Sequence, residues 1–216
     1  QSNLRQWGLV FKTYTDDYDG RFFDNTPRYE YFRITKPYRR EYSDLTACPT
    51  AARFEPFGPD GEKRGGWGNT FSMWERDYGW PDYEVAHMSY GLNSWLEYPR
   101  SPTLAENYFG VWDFRGVPNI PLFFDSVWVE EIRMFDHTQC PPASEAVPTE
   151  SPVCSIDRHA GGVNMLFLDA SVRKVGVKQP WTLQWHRLFD TIGPWTKAGG
   201  VQPDDWPQWM RQFNDY

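Results

Sequence analysis

One strand constrains this chain more than any other feature. Val163, Met165 and Phe167 alternate with Asn164, Leu166 and Leu168, so both faces of the segment are substantially apolar. A strand of that kind belongs in the interior of a sheet rather than at its edge. Asp169-Ala170-Ser171 then turns the chain and Val172–Val177 returns. The pattern predicts a β-hairpin over Gly162–Val177 with a central first strand.

The second clear element opens the chain. Leu4, Trp7, Phe11 and Tyr14 recur at helical spacing, with Arg5, Gln6 and Lys12 on other faces, which predicts a helix over residues 1–15. It has no start signal: Gln1 is already in phase, and Ser2 lacks a Glu or Gln three residues later. It therefore reads as the end of a longer helix. Asp16-Asp17-Tyr18-Asp19-Gly20 breaks it.

Between these elements the chain is irregular. Short strands are predicted at Tyr29–Ile34, Tyr90–Leu96, Leu122–Val129 and Glu131–Phe135, and Glu55–Gly68 reads as a surface insertion. After Pro180, the residues Trp181, Trp185, Leu188 and Phe189 mark a short amphipathic helix capped by Thr182. A second short helix follows Asp204 or Asp205, with Trp206, Trp209, Met210 and Phe213 on one stripe. Helix, strands, hairpin and two helices in that order give an α+β arrangement within a single domain spanning residues 1–216. Aromatic residues make up 18% of the chain and it contains 18 prolines, so large rings rather than long regular elements must pin much of it.

Charge excludes one class of partner. With 22 Lys+Arg against 29 Asp+Glu the net charge is −7, the opposite of a nucleic-acid binder. No apolar run in the sequence is long enough to cross a bilayer. Three cysteines leave at least one unpaired; Cys140 and Cys154 either close a Pro/Ser/Glu-rich loop as a disulfide, stabilising by ~3 kcal/mol, or stay as thiols. Cys48 reads as a small buried hydrophobe.

Chemistry-bearing motifs are sparse. No Cys-x-x-Cys or His pair sits at ligand spacing, and none of His87, His137, His159 and His186 lies in a hydrolase or zincin motif. No enzymatic activity is expected. Asp16, Asp17 and Asp19, with Asp24 and Asn25, could gather oxygens around Ca²⁺. Yet an EF-hand frame with Gly20 sixth puts Thr26 at the twelfth position, so a solvated helix-ending turn is the favoured reading and no cofactor is expected. His159 and Asp169 stand at opposite ends of one strand, some 30 Å apart if extended, too far to share a proton. Both read as structural: His159 bonding a neighbouring loop, Asp169 fixing the turn.

At this point the sequence resembles a family, the pilin-like, prepilin-type processing-associated pseudopilins with a His-x9-Asp-Gly signature. The resemblance rests on Ser2–Gly8 with Tyr14 and Asp16–Gly20, on Cys48-Pro49, on Ser89-Tyr90-Gly91-Leu92-Asn93, on Pro121–Trp128, and on Arg158-His159-x-Gly-Gly through Asp169. Ala170 stands where that family usually has Gly, which would strain a type I′ turn.

The resemblance implies a helical spine at residues 1–15 packed on an antiparallel sheet. Loops and short strands would fill 16–157, the signature hairpin 158–178, and a helical tail 179–216. It implies a non-enzymatic structural subunit of a type IV pilus-like or type II secretion pseudopilus filament, with itself, other pilins or pseudopilins and the secretion machinery as partners. A leader and an apolar helix upstream of Gln1 would anchor it in the inner membrane, placing it in the cell envelope as a periplasmic or extracellular filament. Leu4, Trp7, Trp206, Trp209, Met210 and Phe213 are the interface candidates. The alternative is a surface carbohydrate- or ligand-binding module using Trp67, Trp74 and Trp80 as platforms.

Overall fold

The opening apolar stripe does form a helix, α1 (Ser2–Asp17), in the computed structural model, which describes residues 1–23, 31–38, 45–55, 66–76, 86–97, 102–109, 118–131, 136–145 and 152–216. Gln1 precedes it without a side-chain cap bond. At its other end Asp19 and Gly20 take positive φ, and the Gly20 N–H donates to the Thr15 carbonyl, closing the last turn.

The other regular elements are α2 (Tyr31–Ile34), β1 (Arg53–Phe54), β2 (Ser72–Arg76), β3 (Ala86–Met88), β4 (Tyr90–Asn93), β5 (Pro121–Asp125), β6 (Glu130–Glu131), β7 (Gly162–Phe167) and β8 (Val172–Gly176). Strands β1-β2-β3 form a small sheet, and the main sheet has the order β6-β4-β5-β7-β8. The pairings β4–β5, β5–β7 and β7–β8 are antiparallel, whereas β6 adds in parallel to β4. The fold is therefore α+β with a mixed main sheet.

Strand β7 is buried at every residue, as is β5. Both faces of these strands are covered, and by different means. On one face lies α1, with the Trp7 and Phe11 rings 4.9 and 5.4 Å from Phe123. Gly8 permits the close approach, because a Cβ there would sit 3.2 Å from Leu166 Cδ1. Neighbouring residues point to opposite faces, and Phe124 meets Trp185 of the C-terminal segment edge-on at 5.3 Å. Buried Asn93 stitches that segment down, its amide donating to the carbonyls of Pro121 (2.9 Å) and Trp185 (3.0 Å).

Several predicted elements change type. The strand expected at Tyr29–Ile34 is helical over Tyr31–Ile34, because the Thr35 N–H and hydroxyl both donate to the Tyr31 carbonyl and close a turn; residues 29–30 lie outside the described residues. The Tyr90–Leu96 strand stops at Asn93, whose side chain accepts from Trp95 N–H and starts a 3-10 turn, Ser94–Leu96. The Leu122–Val129 strand ends at Asp125, where Ser126 Oγ accepts from Trp128 N–H. Of Glu131–Phe135 only Glu131 falls in a described strand, and most of Glu55–Gly68 lies outside the described residues.

The C-terminal helices are 3-10 turns, Gln179–Thr182, Pro203–Asp205 and Gln208–Met210. Trp206 explains the break before the last of them: it precedes Pro207, which excludes the helical region, and its ψ is 145°. Thr182 does not cap; its hydroxyl donates back to the Gln179 carbonyl. Trp181, Trp185 and Phe189 are buried as expected, but Leu188 is exposed.

Candidate functional site

Three segments distant in sequence meet at one end of the main sheet. Asn3 and Trp7 of α1 donate to the carbonyls of Ala47 and Leu45, fixing the backbone that leads into Cys48. The Cys48 N–H donates to Ser89 Oγ at 2.6 Å, beside the start of β4. Asp125 is the last residue of β5, and Arg158-His159 lie just ahead of β7. A tight turn aims His159: Ala160 and Gly161 take φ values of 51° and 97°, and the His159 N–H donates to the Gly162 carbonyl.

Arg158 is buried and fully occupied with acceptors. Nε donates to the Thr70 carbonyl (2.6 Å), Nη1 to the Ser89 carbonyl (2.6 Å) and to Asp125 Oδ1 (3.3 Å), and Nη2 to the carbonyls of Asn69 (3.0 Å) and Ser126 (3.2 Å). It thus ties the loop before β2, the start of β4 and the end of β5 into one node. Asp125 Oδ2 accepts from Asn164 N–H at 2.8 Å and lies 3.0 Å from His159 Nε2. The same Nε2 is 3.3 Å from Cys48 Sγ. The carboxylate and guanidinium are inaccessible, while 22% of the His159 side chain reaches solvent.

The electrostatics follow from that geometry. Burial alone would raise the Asp125 pKa, but the hydrogen bond from His159, the charges of Arg158 and His159 and the Asn164 N–H together hold it below its ordinary value. His159 is pushed up to about 9, first by its hydrogen bond to Asp125 and then by that to Cys48, against the opposing effect of burial. A protonated imidazole thus sits between a thiol and a buried carboxylate. This is not the geometry of a nucleophilic triad, in which the base uses one ring nitrogen toward the nucleophile and the other toward the acid. Here a single nitrogen faces both groups.

The residues singled out from sequence are distributed unevenly around this site. His159 lies within it, and its partner is the end of a strand and a thiol rather than a loop alone. Asp169 sits at the far end of β7, where Oδ1 accepts from the Ser171 N–H (2.9 Å) and hydroxyl (2.6 Å), the turn-fixing role expected of it. Cys48 is buried, as read, but it is also a member of the cluster. No disulfide joins Cys140 to Cys154: Cys140 is exposed and Cys154 is buried in the core.

Among the described residues, Asp16, Asp17 and Asp19 form no ligand cluster. Asp16 pairs with Lys12 one helical turn back, and Asp17 Oδ2 accepts from the Tyr38 hydroxyl at 2.9 Å. The two carboxylates thus engage different partners on different sides of the helix. Asp24 and Asn25 lie outside the described residues.

Most interface candidates prove to be core. Leu4, Trp7, Trp206 and Met210 are buried within the chain, and Trp209 and Phe213 pack partly buried against the core, with Trp209 Nε1 donating to the Pro142 carbonyl. Of the ring platforms, Trp74 is buried and Trp67 stacks on Trp128 at 3.6 Å, while Trp80 lies outside the described residues. Sequence reasoning missed Asp125 as a site residue and assigned Cys48 only to packing. The available signal was the shared membership of Cys48-Pro49, Asp125-Ser126 and Arg158-His159 in the motifs quoted for the family resemblance.

Compared with known protein families, curated proteins and solved structures, the chain matches none.

Proposed function

We propose that this chain is a non-enzymatic structural subunit of a pilin-like filament, of the type IV pilus or type II secretion pseudopilus kind, in the cell envelope. One observation carries the reading: an uncapped N-terminal helix lies along the sheet with Leu4, Trp7, Phe11 and Tyr14 buried, while its outer face remains open. That outer face carries Leu9, which is 70% exposed amid Ser2, Arg5, Gln6 and Lys12. A single exposed Leu is ordinary on a protein surface; Leu9 serves here as the position at which a contact between the outer helix face and a neighbouring subunit can be tested. Partners would be further copies of itself, other pilins or pseudopilins, and the machinery that assembles them. Among the described residues no helix is long and apolar enough to cross a membrane. Of the glycan-platform residues that are described, Trp74 is buried and Trp67 is partly buried with one face stacked on Trp128, which leaves that reading less support.

The test is to label filaments sheared from producing cells with an antibody against this domain, comparing the parent with a Leu9→Asp variant. Decoration along filaments that Leu9→Asp abolishes, with the domain's melting temperature unchanged, is the expected result. Antigen found only off filaments, in fractions where filaments are present, overturns the reading.

A further inference from the structure

Among the described residues, Cys48, Asp125 and His159 are the one group of three ligand-type side chains whose donor atoms lie within 4.8 Å of one another. The geometry points to a binding site for a zinc-class divalent transition metal at these three residues. Zinc bonds of about 2.3 Å to sulfur and about 2.0–2.2 Å to nitrogen and oxygen place tetrahedral neighbours about 3.6 Å (S to N) and about 3.3 Å (N to O) apart. The observed separations are 3.3 Å from Cys48 Sγ to His159 Nε2 and 3.0 Å from Nε2 to Asp125 Oδ2. Two edges of the triangle are thus within about 0.3 Å of tetrahedral zinc spacing, and the third, from Sγ to Oδ2, is no longer than 4.8 Å, so a small adjustment admits the ion.

The chemistry of the set agrees with the geometry. A thiolate, an imidazole and a carboxylate bring two negative charges to a dication and combine soft, borderline and hard donors, a mixture that zinc accepts and that Mg²⁺ or Ca²⁺ does not. The surroundings fix the ligands in advance. Asp125 Oδ1 is held by Arg158 and Oδ2 by the Asn164 N–H, Cys48 is held through its own N–H on Ser89 Oγ, and the Ala160-Gly161 turn fixes the His159 backbone. Such outer partners orient ligands around a metal. Of the three ligands only His159 reaches solvent, with 22% of its side chain exposed, and three protein ligands leave a fourth position for water or another small ligand.

Cobalt(II) is the direct probe, because a bound thiolate gives a near-ultraviolet charge-transfer band and four-coordination gives strong visible bands. The chelator-stripped protein, titrated with Co²⁺ and then with Zn²⁺, is expected to develop both bands at one equivalent and lose them to zinc. Cys48→Ser should remove the charge-transfer band, and His159→Gln should weaken binding by more than about 100-fold, beyond the 10- to 100-fold typical of losing an outer partner. Cys140→Ser, which changes the exposed thiol, should leave the bands intact. Circular dichroism of each variant separates loss of ligands from loss of fold. No thiolate band in the folded parent protein, or a band that survives Cys48→Ser and disappears in Cys140→Ser, overturns the site.

Discussion

The two faces of the main sheet are covered by opposite strategies. On one side a regular helix lays an apolar stripe over β5 and β7, its backbone satisfied internally and its register set by Leu4, Trp7, Phe11 and Tyr14. On the other side a segment with only 3-10 turns does the same task, and each of its backbone groups needs a partner elsewhere. Trp185 Nε1 donates to the Pro180 carbonyl, Gln184 N–H to Asn119, Arg187 N–H to Asn107, and the Asn93 amide clamps the Trp185 carbonyl. The lesson is that an irregular layer can close a sheet if large rings supply burial and polar side chains replace the missing ladder.

If the irregular cover is as integral as the helix, the two faces respond alike to loss of their central ring. Trp7→Ala and Trp185→Ala should each destabilise by about 3–5 kcal/mol, the range for a buried Trp truncation. Chemical denaturation of both variants checks this. A Trp185→Ala protein with parent stability would mean that the C-terminal segment is a loose flap and the comparison false.

A shorter cut probes the same layer further from the sheet. Trp206 is buried between Trp181 and Trp195, with the Lys178 ammonium over its ring at 4.9 Å, and Lys178 pairs with Asp215 at 2.7 Å. Deleting Gln202–Tyr216 removes two of these groups and leaves the buried Lys178 ammonium without its carboxylate, so the domain itself should melt early, with a loss of about 3 kcal/mol or more. An unchanged melting temperature would return Trp206 and Met210 to the role of subunit interface.

The irregular face also carries an acid-labile point. His186 packs between Trp95 and Phe189, and its Nδ1 is buried without a hydrogen-bond partner among the described residues. Burial lowers its pKa to about 4, with Asp136 pulling the other way and His137 adding to the decrease. The folded state therefore prefers neutral His186. Its contribution is complete above the ordinary value near 6.5 and is lost as pH falls from there toward 4. Denaturation midpoints of the parent should fall across that window, and His186→Asn should flatten the fall.

The helix and hairpin were legible because each carries a clear apolar signal: four ring and aliphatic positions at helical spacing in α1, and a short, nearly continuous apolar run through β7 followed by a turn and a return strand. The C-terminal layer was legible as buried, since so many rings cannot stay in water, but not as 3-10 turns. Its shape depends on Pro207 and on carbonyl partners such as Asn107 and Asn119, which no local pattern announces. The metal-ligand cluster was not legible from spacing at all. Cys48 and His159 are 111 residues apart, and Arg158 and Asp125 are 33 apart. Only β5 and β7 pairing side by side, with α1 holding the backbone before Cys48, brings them together.

The smallest expected effect concerns the turn at the far end of β7, where the sequence departs from the signature it resembles. Ala170 has φ of 65°, its N–H donates to the Phe167 carbonyl, and Asp169 Oδ1 clamps Ser171 from the other side. A left-handed conformation costs a residue with a Cβ about 1–2 kcal/mol, a cost glycine escapes. Glycine in turn raises the entropy of the unfolded chain, which takes back about 0.4–1 kcal/mol. Ala170→Gly should therefore stabilise the domain by roughly 0.5 kcal/mol, a small upward shift of the denaturation midpoint at unchanged slope. A destabilised variant would mean that the Ala170 methyl makes a packing contact worth more than the strain, and that this hairpin end, like the His159 end, is held by side chains rather than by backbone geometry alone.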